Sequence, residues 1–392
     1  MTSPSVASAC FRKSSLLFWL LAFCAACGGG SGSPPTSAVP DALPTPGQPA
    51  ISAVSSANVT SGSATITWIT SENADSQIEF GPTSAYGSRS SLDGALVTSH
   101  SEVLSGLAGS TTYHFRVKSR DAAGNLTASG DFVLSTSPIA AAQLAGYPAS
   151  DGTIYWLGDF ETGDLSQFVG SQEENGVVPT VVSAGTNPGG QGSYSGQFQI
   201  FASTPTSGTL SRSEATTSQA QTGGYPGQTW YYTWQMYFPS ATVSWSNQWN
   251  NLAQWIDTLY QCSPPISVGV SVPLETGSTR YLSIYNQALD NANGCAPLTQ
   301  WQQWTIEVPK LDHWYTMTML IKFSSDPTVG YAQAWLDGRE VLPLTHMRTV
   351  DNGGNYFELH NYQGSPNRAS TIYFDAARRH QCYLLAACVV NP

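Results

Sequence analysis

The sequence predicts an all-β chain made of two sandwiches in tandem, a small one followed by a large two-sheet jelly roll. Three observations carry this. Only 10% of the 392 residues are charged, while 36 Gly, 24 Pro, 12 Trp and 18 Tyr supply turns and strand formers. Apolar and polar residues alternate in short runs, as in Ala64-Thr65-Ile66-Thr67-Trp68 and Thr112-Tyr113-His114-Phe115-Arg116-Val117. No stretch has a long helical period with caps, so coiled coils and helical repeats are excluded. Fifteen Lys+Arg against 26 Asp+Glu leave a formal charge of −11. That excludes nucleic acid as a partner, because binding a phosphate backbone requires a basic stripe.

At the N-terminus, Arg12 and Lys13 precede the apolar run from Leu16 to Phe23. The run is too short to span a bilayer, which takes about 20 residues, and has the length of a signal-peptide core. It ends in Cys24-Ala25-Ala26-Cys27-Gly28-Gly29-Gly30. Small residues before a cysteine resemble a bacterial lipoprotein signal over residues 1–27, with Cys27 as the lipidated residue. An ordinary cleaved signal with incidental cysteines is the alternative. The resemblance implies a lipid anchor in the cell envelope, and Gly28 after the cysteine implies the outer membrane. Residues 28–49, rich in Gly, Ser, Pro and Thr, read as a flexible tether.

Export permits disulfides. Beyond Cys10, Cys24 and Cys27 the chain holds Cys262, Cys295, Cys382 and Cys388. Of the three connectivities open to four cysteines, local pairing of Cys262 with Cys295 and Cys382 with Cys388 is the simplest. A zinc site is the competing reading, but no CxxC or HxxxH spacing supports it.

Residues 50–138 alternate with period two between turns, the mark of an antiparallel sandwich. Trp68, Gly81, Tyr86, Leu104-Ser105-Gly106-Leu107, Tyr113 and Asp121-Ala122-Ala123-Gly124-Asn125 resemble a fibronectin type III domain. The resemblance implies a core Trp, a corner Tyr and a spacer without chemistry of its own.

Residues 150–392 form the larger region. Trp230–Phe238 and Tyr315–Phe323 have strand composition, and Asp337-Gly338 marks a tight hairpin. About 240 residues of strands in one unit predict the jelly roll. The run Gly158-Asp159-Phe160-Glu161-Thr162-Gly163-Asp164 resembles the opening of concanavalin-like jelly-roll polysaccharide lyases, the group of glucuronan lyase, heparin lyase I and alginate lyases. Arg212-Ser213-Glu214, Asn251-Leu252-Ala253-Gln254-Trp255, Asp312-His313-Trp314, Trp335-Leu336-Asp337-Gly338-Arg339 and Tyr356-Phe357-Glu358-Leu359-His360-Asn361-Tyr362 follow in the family's order.

Such a lyase removes the C5 proton of a uronate and expels the 4-linked oxygen. The reaction needs donors on the carboxylate, a base for C5 and an acid for the leaving oxygen. The resemblance implies that Arg212 and Gln254 neutralise the carboxylate, that Asn251 and Trp255 contact the sugar, and that Tyr362 transfers the proton. Relatives usually carry a His two residues after the Gln; Ile256 stands there instead, and His360, on the Tyr362 face by period two, is the candidate replacement. Glu358 falls on the same face, where an anion opposes an anionic substrate unless it points away. Polysaccharide is the implied partner of a monomer that needs no cofactor for catalysis.

After residue 138 the chain has nine Lys/Arg against 18 Asp/Glu, which argues against a densely sulfated polymer. Jelly rolls often carry a structural Ca²⁺ between their first and last strands, and Asp159, Glu161 and Asp375 stand where that site usually lies. Two other readings stay open: a lectin-like domain that only holds sugar, and a glycoside hydrolase whose paired carboxylates one sequence does not reveal.

Overall fold

In the computed structural model the described residues are 47–381, apart from 141–142, 145–146, 148–150, 175, 184–189, 203–209, 246–248, 258–263, 272–278, 288, 291–295, 298–300, 351–352 and 365–368. Cys27, the signal, most of the tether, and Cys262, Cys295, Cys382 and Cys388 therefore lie outside the described residues.

The long strand Ser63–Gly81 organises the small sandwich. Its first half pairs with Ile51–Ala57 and Asp93–Ser105, its second with Ser88–Arg89 and Thr112–Arg120. Alternation buries Ala64, Ile66 and Trp68 on one face, as the sequence requires. Trp68 stacks on His100 with ring centroids 4.7 Å apart and donates its indole N–H to Ser119 Oγ at 2.9 Å. A buried indole thus keeps its polar handle satisfied.

Tyr113 does two things with one hydroxyl. It accepts the Ala108 N–H at 2.9 Å and donates to the Ala220 carbonyl at 2.7 Å. Ala220 lies in the one-turn helix Gln219–Thr222 of the large sandwich, yet it packs into the small sandwich's core. Ser218 closes a capping box with Gln221 and also donates to the Gly106 carbonyl at 3.0 Å. Gly106 has φ +66°, and a Cβ there would strike Val169 and Gln221, so a glycine is needed at this approach. Residues Thr45–Pro392 pack as one compact unit, which includes both sandwiches.

The large sandwich has two antiparallel sheets. One runs in the order Thr180–Ser183, Tyr194–Ile200, Ser370–His380, Thr229–Tyr237, Trp314–Lys322, Tyr331–Leu336 and Arg339–His346, with Ile154–Gly158 also on Ser370–His380. The other runs Gln302–Glu307, Tyr281–Asn286, Ile266–Ser271, Trp249–Asp257, Asn355–Gly364, Leu210–Thr216 and Gly170–Glu174. The predicted hairpin is present, with φ +50° at Asp337 and +76° at Gly338, the left-handed pair a tight turn needs. Between the sheets lies an aromatic core that includes Phe198, Tyr232, Trp234, Tyr315 and Phe357.

Trp255 belongs to that core. It is fully buried, with ring centroids 5.1 Å from Tyr232 and 5.0 Å from Phe357. This corrects the expectation that Trp255 contacts sugar. Gln254 takes the outer face, so its neighbour must take the inner one.

Candidate active site

Three adjacent strands of the second sheet assemble the site. Tyr362 pairs with Arg212 on one side and with Asn251 on the other. Directly paired residues share a face, and strands lie about 4.8 Å apart, so the three side chains span about 10 Å. A hexose ring fits that span.

Gln254 should not belong to this group by simple alternation, since it stands three residues from Asn251. The ladder is irregular between Asn251 and Ala253, where the strand Trp249–Asp257 slips against both its neighbours. After that shift Gln254 pairs with Glu358, on the same face as Asn251. Asn251 Nδ2 donates to Gln254 Oε1 at 2.8 Å, and Gln254 Nε2 donates to Glu358 Oε2 at 2.6 Å. Gln254 is only 5% exposed, so its amide holds neighbours in place, while Asn251 is half-buried with its Oδ1 inside and its Nδ2 on Gln254.

The Arg212 side chain is partly exposed, and carboxylates flank it. Its Nη1 lies 4.0 Å from Glu214 Oε2 and its Nε 3.9 Å from Glu174 Oε2. The guanidinium carbon is 5.9 Å from the Tyr362 ring centroid. Trp249 meets Tyr362 edge to face at 4.8 Å and fixes the ring from the other side.

Beneath this layer lie Glu214, Glu358 and His360. His360 shares the Tyr362 face as period two predicts, with the two rings 5.8 Å apart, but it is fully buried. It supports the site from below and does not reach a substrate directly, which corrects its expected place as a substitute base. Its Nδ1 is 3.5 Å from Glu214 Oε2. Glu358 does not point away as the charge argument asked; it is buried in the same layer. Burial and then the Glu214 charge push the Glu358 carboxyl up to about 8. Burial also acts against ionised Glu214, but His360 and Arg212 outweigh it and hold that carboxyl below its usual range. The two acids are therefore driven in opposite directions, Glu214 toward its ionised form and Glu358 toward its protonated form.

Sequence reasoning missed Trp249 and gave Glu214 no role in the site. Both were within reach of it. Trp249 lies two residues before Asn251, and Glu214 two after Arg212, so period two places each on the face of a residue already singled out.

Asp159, Glu161 and Asp375 occupy a different part of the large sandwich. Asp375 is buried, its Oδ2 has no hydrogen-bond partner, and burial pushes its carboxyl up to about 8, with Glu161 and Asp159 adding to the shift. A Cβ at Gly190 would run into that oxygen. Glu161 Oε1 accepts the N–H groups of Ser193 and Tyr194, each at 2.8 Å. Asp159 is committed on both oxygens, to Gln167 Nε2 at 2.7 Å and to the Tyr147 hydroxyl at 2.8 Å. Asp159, Glu161 and Asp375 do not bring their ligand atoms within 4.8 Å of one another, so the described side chains alone do not assemble the expected calcium cluster.

Over residues 160–378 the sequence matches a family described as polysaccharide lyase. No curated protein matches the chain. Among solved structures it is similar to the endo-β-1,4-glucuronan lyase of the fungus Trichoderma reesei, at 18% identity and a TM-score of 0.47. That similarity covers 58% of this chain and 95% of the other. It is similar also to the alginate lyase vAL-1 from Chlorella virus, at 9% identity and a TM-score of 0.32 over 55% and 91% of the two chains. The catalytic domain of a GH131 β-glucanase from Podospora anserina shares 15% identity, with a TM-score of 0.41 over 60% and 99%.

Proposed function

The chain belongs to the polysaccharide lyase family, and from that premise we propose that it cleaves a uronate-containing polysaccharide by β-elimination at Tyr362. The observation that carries this reading is the cross-strand triplet Arg212, Tyr362 and Asn251 on one sheet face. Arg212 and the second N–H of the Asn251 amide, whose first N–H is on Gln254, supply the cationic and dipolar donors for the uronate carboxylate. With that charge held, the C5–H bond weakens toward a base. The Tyr362 oxygen takes the C5 proton, the C4–O4 bond breaks, a C4=C5 double bond forms, and a proton returns to the departing oxygen. One tyrosine serves both transfers when C5–H and O4 lie on the same side of the ring.

The acid pair does not favour a hydrolase. Glu214 and Glu358 have the split protonation of a general acid and its partner, but at 1% and 0% exposure neither reaches a glycosidic oxygen. The surface layer is Arg, Asn and Tyr, which suits elimination.

Around this core, the orphaned oxygen of Asp375 supports a structural Ca²⁺ held with Glu161. The small sandwich serves as a spacer, and Cys27 as a lipid attachment that places the enzyme at the outer membrane.

The test uses Tyr362→Phe, which keeps the ring and removes the hydroxyl. The purified protein is incubated with glucuronan and alginate while the ultraviolet absorbance of the unsaturated product is followed. Wild type should generate product on one of them, and the variant should fall at least 100-fold while still binding the polymer. Retained turnover in the variant removes Tyr362 from the chemistry. New reducing ends without unsaturation would replace elimination by hydrolysis.

A further inference from the structure

The layer beneath Tyr362 is built like a coordination site. Glu214, Glu358 and His360 each offer one ligand atom, these atoms all lie within 4.8 Å of one another, and all three side chains are buried. Among the described residues no other His, Cys, Asp and Glu side chains meet that condition. One oxygen of each carboxylate is held from outside: Glu214 Oε1 accepts from Thr216 Oγ1 at 3.2 Å, and Glu358 Oε2 from Gln254 Nε2 at 2.6 Å. Outer partners of this kind orient metal ligands.

The atoms on the inner side tell the same story. Glu358 Oε1, His360 Nδ1 and His360 Nε2 are buried without any hydrogen-bond partner. Native interiors rarely leave several such atoms together. His360 Nδ1 stands 3.5 Å from Glu214 Oε2. Two ligands about 2.0–2.1 Å from a tetrahedral zinc are about 3.4 Å apart, so the contact has the length of one edge of a coordination shell.

We propose that Glu214, Glu358 and His360 bind one divalent transition-metal cation, of the zinc type, beneath the Tyr362 layer. Two carboxylate oxygens with one imidazole nitrogen suit Zn²⁺ or Mn²⁺, whereas Ca²⁺ and Mg²⁺ take oxygen shells without imidazole. The cation would take both carboxylates in ionised form and balance their charge, so that no net anion stands beneath the site. Together with Arg212 it makes the field above the layer positive, favouring a substrate carboxylate. This role rests on the elimination reading. The binding itself does not, and it is measured without substrate.

The experiment strips the full-length protein with EDTA, removes the chelator, and titrates ZnCl₂ by calorimetry in wild type, Glu358→Gln and His360→Ala. Wild type should take up one Zn²⁺ per chain at the site. Both variants should bind it at least 100-fold more weakly, while their metal-free circular dichroism stays that of wild type. Co²⁺ in place of Zn²⁺ should give visible bands without a thiolate charge-transfer band, which separates this site from the cysteines. A wild-type chain that takes up no stoichiometric Zn²⁺, or variants that bind it as wild type does, overturn the proposal. Should Glu358→Gln fail to fold, His360→Ala decides alone, and His360→Gln takes its place if that also fails. Zinc uptake without unsaturated product would leave the site standing and remove the elimination reading. Unsaturated product from a chain that takes up no zinc would do the reverse.

Discussion

Replacing Glu358 by Gln should change how stability depends on pH. The carboxyl is raised to about 8 in the folded protein against 4.5 as its ordinary value, first by burial and then by the Glu214 charge. Between those limits the folded state keeps a proton that the unfolded chain has released. Stability contributed by this group is thus fully present below the unfolded value and falls as pH rises toward 8. The ceiling on the slope is one proton, about 1.4 kcal/mol per pH unit. From pH 5.5 to 7.5 wild type should lose up to about 3 kcal/mol that Glu358→Gln does not lose. Gln is near in shape, and its amide oxygen can still accept from Gln254 Nε2. Asp375, raised in the same direction, contributes equally to both proteins and drops out of the difference. The assay is urea unfolding of both proteins at half-unit pH steps in the presence of EDTA, with free energies extrapolated to water. Parallel stability curves across that window would show that Glu358 is ionised in the fold, and the electrostatic account of the buried layer would fall with it.

Three further outcomes follow from the same contacts. Trp255→Ala should cost about 3–5 kcal/mol in unfolding free energy by opening a cavity among Tyr232, Trp234 and Phe357; unchanged stability with a raised KM for polymer would place the ring against substrate after all. Ca²⁺ added to EDTA-treated protein should raise the melting temperature of wild type but not of Asp375→Asn, as followed by calorimetry, and equal shifts in the two would remove Asp375 from the ion. Tyr113→Phe leaves the buried Ala108 N–H and Ala220 carbonyl without their shared partner, so it should cost about 1–3 kcal/mol in a denaturant titration, and a value matching wild type would mean the hydroxyl does not join the two sandwiches.

Much of the architecture was legible because it depends on local pattern. Period two in Ala64–Trp68, the Asp337-Gly338 turn and the absence of helical periodicity needed no long-range information. The placement of Glu358, His360 and Tyr362 on one face was equally readable, because even spacing along a strand settles it; that Arg212 joins them rests on cross-strand pairing, which spacing does not give. Trp255 was misread for an instructive reason. Its strand carries an irregularity between Asn251 and Ala253, and neither burial nor register around a bulge can be read from spacing alone. The same irregularity brings Asn251 and Gln254 to one face although three residues separate them. The buried state of Glu358 was also beyond the sequence. It depends on Gln254 and Glu214, which come from two other strands and stand 104 and 144 residues away.

The acidic layer under the site shows why charge counted along a chain is a poor guide to the charge a ligand meets. Eighteen acids against nine bases after residue 138 argue against a polyanionic substrate if every acid is ionised and faces outward. At the site neither condition holds. Burial and the Glu214 charge drive Glu358 toward its protonated form, Glu214 is opposed by Arg212 and His360, and both lie beneath Tyr362. What reaches the surface above this layer is the partly exposed Arg212 side chain, flanked by Glu174 at the sheet edge. On the proposed reading, a single uronate carboxylate would be met there by Arg212, with Glu174 and Glu214 beside it. Raising the pH past the Glu358 transition should weaken uronate binding in metal-free protein, as a second buried anion appears below Tyr362. Affinity for a uronate oligomer, measured in EDTA with Tyr362→Phe to prevent turnover, should fall between pH 7 and 9, and the added substitution Glu358→Gln should abolish that fall. A pH-independent affinity in the Tyr362→Phe protein would mean that the buried acids do not reach the substrate's field.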